Sequence, residues 1–225
     1  MTDFRQADRT DFTAEDLRRR ATGLLLQTDS ATAALRRQVA ETADLNPRAA
    51  AVLIPIIDRK PEATVLVTLR TDHLSVHANQ IAFPGGKIEK TDVTLADTAL
   101  REAEEEVGLA RSFVDIVGFL DCYRTNKGFC IAPAVGVVTP DFSLKLDARE
   151  VAEVFEVPLR FLMSPENHEF HEREINGERR DFYAMPYQGR HIWGVTAGII
   201  RAFYERLYLS DDPGAHNTAK LSLKK

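Results

Sequence analysis

"REAEEEVGL", residues 101–109, sets four glutamates into five consecutive positions, Glu102, Glu104, Glu105 and Glu106, inside a stretch whose apolar spacing is helical. With about 100° per residue and Glu102 at zero, Glu106 falls near ~40°, Glu105 near ~300° and Glu104 near ~200°. Three of the four therefore share a face. Glu102/Glu105 and Glu102/Glu106 are like-charge neighbours that cost an isolated helix about 0.2–0.5 kcal/mol per pair, so a compensating cation is expected. Ala96, Ala99, Leu100, Ala103 and Val107 occupy roughly 60–160° of the same wheel. The helix packs through that side, holds its acidic side rigidly, and stops at Gly108.

Around this helix the chain reads as strands and a few further helices. Thr13-Ala-Glu-Asp16 is a capping box before Leu17, and a second helix runs from Ser30 through Leu35 and Val39 to the stop at Asn46-Pro47. Ala49–Ile57 and Thr64–Leu69 are β-rich and form a hairpin; Val114–Leu120 and Phe129–Val138 are further strands. Asp147–Glu156 reads as a charged helix or loop. Asn167–Ile175 and Arg180–Met185 flank the hairpin turn Asn176-Gly177. Ile192–Leu209 reads as one helix, with Trp193 and Phe203 in the core, followed by a loosely ordered tail from Asp212-Pro213-Gly214. Strands interleaved with helices predict an α/β or α+β sandwich. Residues 1–45 are expected to form a helical extension, 46–210 the main domain and 211–225 a polar tail.

Composition narrows the function. The chain has 225 residues, 44% of them hydrophobic, enough for a sizeable core. A net charge of −5, with no basic tract or interleaved aromatics, argues against nucleic-acid binding. The longest apolar run, Ala49–Ile57, is far short of the roughly 18–20 residues that span a bilayer, and the polar start lacks a signal-peptide core. The expectation is a cytoplasmic protein with no membrane partner. Cys122 and Cys130 are expected to be ordinary reduced thiols, although they could meet across a hairpin. Upstream of the acidic face, Gly85-Gly86 allows a close backbone approach that could bring N–H groups to a phosphate. Carboxylates beside such a turn suit Mg²⁺ or Mn²⁺.

Taken together, Gly86, Asp92 and Arg101–Leu109 resemble the Nudix box, Gly-x5-Glu-x7-Arg-Glu-U-x-Glu-Glu-x-Gly-U with U apolar. The second half matches fully; Asp92 replaces the first Glu, and eight residues rather than seven precede Arg101. That departure, and the upstream "VTLRTDHLSVHANQIAFPGG" (67–86), resemble the coenzyme A pyrophosphatase branch, with Asn79 where the branch has Gly. Asn tolerates left-handed angles, so the loop shape is expected to survive. "EVAEVFEVPL" (150–159) and "IWGVTAGII" (192–200) extend the resemblance.

The resemblance implies a Nudix fold, a mixed β-sheet sandwiched between helices. It also implies Mg²⁺- or Mn²⁺-dependent hydrolysis of a nucleotide substrate, here coenzyme A, to 3′,5′-ADP and 4′-phosphopantetheine. Glu102, Glu106 and Glu105 are the candidate metal ligands. Glu105 is also the candidate catalytic base, with Glu150 and Glu153 as alternatives. Arg101 is expected to orient a carboxylate through a bidentate contact, or to make an i,i+4 pair with Glu105. Arg70, His77, Gln80, Gly85 and Gly86 are the candidate substrate-binding residues. A homodimer is compatible with this reading. The rival readings are a Nudix pyrophosphatase acting on ADP-ribose, NADH or another nucleoside diphosphate derivative, and a non-catalytic binding module.

Overall fold

Thr13 opens the first helix as its sequence indicates, its hydroxyl accepting from the Asp16 amide at 3.1 Å. The computed structural model describes residues 11–41, 48–74, 77–125, 128–175 and 178–209. The turns expected at Asn46-Pro47 and Asn176-Gly177 and the tail from Asp212 lie outside the described residues. In chain order the elements are α1 (Ala14–Ala21), α2 (Thr28–Glu41), β1 (Arg48–Ile57), β2 (Thr64–Arg70), β3 (Ile81–Ala82), β4 (Gly85–Lys87) and α3 (Leu95–Val107). There follow β5 (Val114–Phe119), β6 (Tyr123–Arg124), β7 (Phe129–Val138), β8 (Val151–Pro158), α4 (Leu159–Leu162), β9 (Glu169–Ile175), β10 (Glu178–Tyr187), β11 (Arg190–Trp193) and α5 (Val195–Leu207).

The main sheet runs β3-β2-β1-β7-β5, with β8 added to β2, β4 to β1 and β6 to β7. Its centre is the parallel pair β1 and β7, in register from Arg48↔Phe129 to Ile57↔Val138; the other pairings are antiparallel. Both central strands are near-continuous apolar runs because both of their faces are covered. On one face lie α1, α5 and the separate sheet β11-β10-β9, in a core that includes Leu17, Ile54, Val65, Met185, Phe203 and Tyr204. On the other face α2 and α3 pack through Leu35, Ala99, Ala103 and Val107 onto Leu53 and Val138. This is the mixed sheet between helices expected from the sequence, in the α+β class.

Three expectations are corrected. The stretch from Asp147 is a turn followed by strand β8, which pairs with β2 from Thr64↔Pro158 to Arg70↔Val151. Glu150, Glu153 and Glu156 recur at a spacing that imitates a helix face, and pairing with the edge of β2 selects the strand instead. The expected helix from Ile192 begins only at Val195: Ile192 and Trp193 belong to β11, and Gly194, at φ 67°, breaks the chain direction between strand and helix. Phe203 is core, but Trp193 is 41% exposed and lies edge-on to Phe182. Finally, Cys122 and Cys130 are joined as a disulfide, where free thiols were expected. The pairing of Arg124 with Cys130 in the β6–β7 ladder places Cys122 diagonally across from it. Among the described residues no helix is long and apolar enough to cross a membrane.

Candidate functional site

Helix α3 is fixed at both ends. Thr94 and Asp97 make a reciprocal capping box, and Gly108 ends the helix in the left-handed conformation at φ 72°. Ala99, Ala103 and Val107 are fully buried on the packed side, which turns Glu102, Glu105 and Glu106 the other way. Those three glutamates line one recess of about 260 Å³ together with Asp147, Arg149 and Glu150. Glu104 lines a different hollow with Thr91, Asp92, Val93, Asp97, Arg101 and Arg111, as the angular count requires.

Arg101 organises the acids. Its Nε and Nη2 donate to the two oxygens of Asp92, each at 3.0 Å, while Nη1 donates to Glu102 at 2.9 Å and to Glu105 at 3.0 Å. Nη2 also reaches the Lys87 carbonyl at 3.1 Å. Both readings of this arginine hold at once: it grips a carboxylate bidentately and makes the i,i+4 pair. Asp92 accepts further from the Glu89 amide at 2.8 Å and the Thr98 hydroxyl at 2.9 Å. The Arg101 bonds, helped by these, hold its pKa down to about 2 against the cost of burial. Asp92 is thus occupied within the protein and serves as the anchor for Arg101.

Glu106 has the opposite environment. It is only 5% exposed, and its nearest cation is Nη1 of Arg70 at 3.7 Å, beyond hydrogen-bond reach. Burial pushes its pKa up to about 8; Arg70 and the Gly85 amide pull it down, while Glu102 and Glu150 push it further up. Glu102 is also raised by burial, against the pull of Arg101. Arg70 spans the floor, its Nη2 lying 3.8 Å from Glu150, and its Nε is buried without a partner. Among the described residues no three His, Cys, Asp or Glu side chains stand close enough to hold an ion as they are. Even so, a buried carboxylate with no cation in hydrogen-bond reach, beside further carboxylates, is the oxygen donor set that fits a hard divalent cation.

The two glycines differ from the turn expected of them. Gly85 and Gly86 lie in β4, opposite Val52 and Ala51 of β1, rather than in a phosphate-cradling loop. A Cβ on Gly86 would fall 2.3 Å from Oε1 of Glu102, and one on Gly85 would fall 2.5 Å from the Ala51 carbonyl. Here glycine makes room for the Glu102 carboxylate and for the neighbouring strand. His77 and Gln80 bond to each other, Nδ1 to Oε1 at 2.6 Å, in a turn where His77 and Asn79 have φ 61° and 57°. Asn79 therefore adopts the left-handed angle its chemistry allows. The Gln80 carbonyl accepts from the Arg70 amide at 3.0 Å, tying this loop to the site.

Of the alternative bases, Glu150 enters the recess; Glu153 is taken by an ion pair with Arg190. Asp147 and Arg149 were not foreseen from the sequence. They lie some forty residues past the acidic helix, and two sets of backbone bonds bring their turn to it: the Asp147 amide donates to the Glu106 carbonyl and the Lys145 amide to the Val107 carbonyl, each at 2.9 Å, while the Thr71 amide donates to the Glu150 carbonyl at 3.0 Å.

The Glu106 environment carries a pH signature. Its folded-state pKa of about 8 lies above the ordinary 4.5. Its contribution to the stability of the metal-free fold is therefore full below 4.5 and is lost as pH rises through about 8. A divalent cation must displace that proton, so metal stabilisation should grow over the same window. The expected result is a rise in Tm on adding millimolar Mg²⁺ or Mn²⁺ that is larger at about pH 8.5 than at about pH 6. Glu106→Gln should show a smaller rise with little pH dependence. Melting curves indifferent to both cations at either pH would refute this.

Residues 46–176 match the family model described as the NUDIX domain. A protein named Uncharacterized Nudix hydrolase NudL from Yersinia enterocolitica serotype O:8 / biotype 1B is 41% identical over 162 residues, covering 72% of this chain and 83% of the relative. The protein of that name from Yersinia pestis (strain Pestoides F) is 44% identical over 154 residues, covering 68% and 77%. Among solved structures, the NUDIX domain of Shewanella oneidensis NrtR, complexed with ADP ribose, is 16% identical with a TM-score of 0.46, covering 72% of this chain and 88% of that one. The acidic helix, its arginine and the match over the central 46–176 place this chain in the Nudix hydrolase family.

Proposed function

We propose that this Nudix hydrolase cleaves the pyrophosphate of coenzyme A or its derivatives, using Mg²⁺ or Mn²⁺, to give 3′,5′-ADP and 4′-phosphopantetheine. The observation that carries the reading is the direct connection between two sequence features. Arg70, which opens the loop resembling the coenzyme A pyrophosphatase branch, places its guanidinium between Glu106 and Glu150 of the acidic recess. Glu102 and Glu106 would hold the cation, with Glu105 as a further ligand or as the base. A bound divalent cation supplies charge neutralisation at the pyrophosphate oxygens and a lowered pKa for a bound water. The protein's part would be to orient the attacking water, with Glu105 or Glu150 placed to take its proton as its oxygen attacks phosphorus. The bridging P–O bond then breaks, and the second phosphate leaves. Arg101 keeps Glu102 and Glu105 in place throughout.

The reading is tested by incubating the protein with Mg²⁺ or Mn²⁺ and coenzyme A, an acyl derivative, ADP-ribose or NADH, and separating the products chromatographically. Coenzyme A should be cleaved with the highest kcat/KM. Preference for ADP-ribose or NADH would favour another Nudix pyrophosphatase, and absence of turnover on all four a binding module. His77 and Gln80 supply a narrower test. Because they bond to each other, they act as one recognition unit, and their losses should be non-additive. His77→Ala and Gln80→Ala are each expected to raise KM for coenzyme A with little change in kcat, lowering kcat/KM by about 10-fold. The double variant should be little worse than either. Unchanged kinetics in folded variants would remove the recognition role.

A further inference from the structure

We propose that Arg149 binds the phosphate monoester on the ribose of the substrate while the carboxylates of α3 act on the pyrophosphate; this rests on coenzyme A as the substrate. Six residues line the recess, and Arg149 is the only cation among them. Two other cations lie nearby and both are engaged: Arg70, 23% exposed, between Glu106 and Glu150, and Arg101, 19% exposed, by Asp92, Glu102 and Glu105. Arg149 instead stands at the rim, its side chain 87% exposed.

Its backbone is fixed while its head group is free to exchange. The Arg149 carbonyl accepts from the Thr71 hydroxyl at 3.2 Å and from the His73 ring Nε2 at 3.1 Å, and its amide donates to Asp147 at 2.9 Å. The guanidinium rests on Asp147, with Nε 3.0 Å and 3.1 Å from the two oxygens and Nη2 at 2.6 Å. With Arg149 87% exposed against 23% for Asp147, the cation of this pair stands in solvent, where an ion pair is weak. A phosphate monoester dianion offers the same fork geometry with more charge, so it can displace Asp147 at small cost.

The location decides which phosphate. The recess floor is carboxylate and suits the cation-bound pyrophosphate, whereas a lone guanidinium at the rim suits an anion lying outside that floor. The pantetheine half of coenzyme A carries no further charge, so the 3′-phosphate is the group left for Arg149 to meet. Thr71 and His73 therefore act on recognition indirectly, by holding the backbone of the residue that makes the contact.

Two measurements test this, with melting curves to establish that each variant is folded. The first is the ratio of kcat/KM for coenzyme A to that for 3′-dephospho-coenzyme A. Arg149→Gln should lower the ratio by about 10- to 100-fold, the worth of a charge-assisted contact, and Arg149→Lys should retain part of it. The second is calorimetric binding of 3′,5′-ADP against AMP in the presence of Mg²⁺: the unaltered protein should prefer 3′,5′-ADP, and Arg149→Gln should lose the preference. Equal losses on both substrates, or no preference for 3′,5′-ADP in the unaltered protein, would overturn the proposal. If the preference depends on Arg149 but neither coenzyme is cleaved, the proposed reaction fails and the role of Arg149 stands.

Discussion

Glu106→Gln and Glu102→Gln are each expected to lower turnover by at least about 100-fold, the scale of removing a major electrostatic contact to the transition state. The substitution keeps shape and removes only charge. Because burial already disfavours the Glu106 carboxylate, its neutral isostere should leave the metal-free fold at least as stable near pH 8. Loss of activity would then be separable from loss of structure. Glu104→Gln supplies the contrast, since Glu104 opens into the hollow on the other side of α3. Steady-state rates at saturating metal, with a melting curve for each variant, check the set. If Glu104→Gln proves as damaging as the other two, the assignment of the acidic face is wrong.

Arg101→Ala should be the most destabilising single change at the site. Asp92 has a side chain only 4% exposed, and the two guanidinium bonds are its charged support. Removing one partner of a buried pair strands the other, at a cost of about 3–5 kcal/mol. For a chain of this size that corresponds to a fall in Tm of about 6–20 °C. Turnover should fall as well, because Glu102 and Glu105 lose their common donor. The double variant Arg101→Ala, Asp92→Ala should recover part of the lost stability but not the activity, since no charge is then left stranded. Differential scanning calorimetry on the single and double variants decides it: a shift of less than about 2 °C for Arg101→Ala would show that Asp92 does not depend on this partner.

How much of this was legible depended on whether the determining forces were local. Helix α3 could be read completely, since Ala99, Ala103 and Val107 repeat at helical spacing and Gly108 is the residue that best adopts a left-handed stop. The strands β1 and β7 announced themselves as apolar runs long enough to be covered on both faces. Asn79 could be assigned its backbone angle from chemistry alone. Strand β8 could not be read in this way: Glu150, Glu153 and Glu156 look like a solvated helix until β2 offers its edge. Trp193 was misplaced because Ile192, Val195 and Ile199 continue a helical spacing straight through Gly194, whose conformation the pattern does not reveal. Arg149 left no local signal, since its place at the recess comes from long-range contacts, the β8 pairing with β2 and the backbone bonds of Lys145 and Asp147 to the end of α3. The conformation of the two glycines was misread as a turn for a related reason. Gly85-Gly86 was read by what its own backbone could offer a ligand, whereas the structure uses the absence of side chains to admit Val52 and Glu102.

The parallel pairing of β1 with β7 bears on how the site comes into being. It joins segments about 80 residues apart, a closure that topology makes late and slow in folding. The recess takes Glu102, Glu105 and Glu106 from α3 and Asp147, Arg149 and Glu150 from a turn beyond β7, with Arg70 at the end of β2 beside Glu106. During synthesis the acidic helix therefore emerges before its covering turn exists, with its carboxylates still in water, where their mutual repulsion is weakest. Glu150, one of the groups that push Glu106 up, belongs to that later turn, so part of the electrostatic burden on Glu106 is added only once the turn is in place.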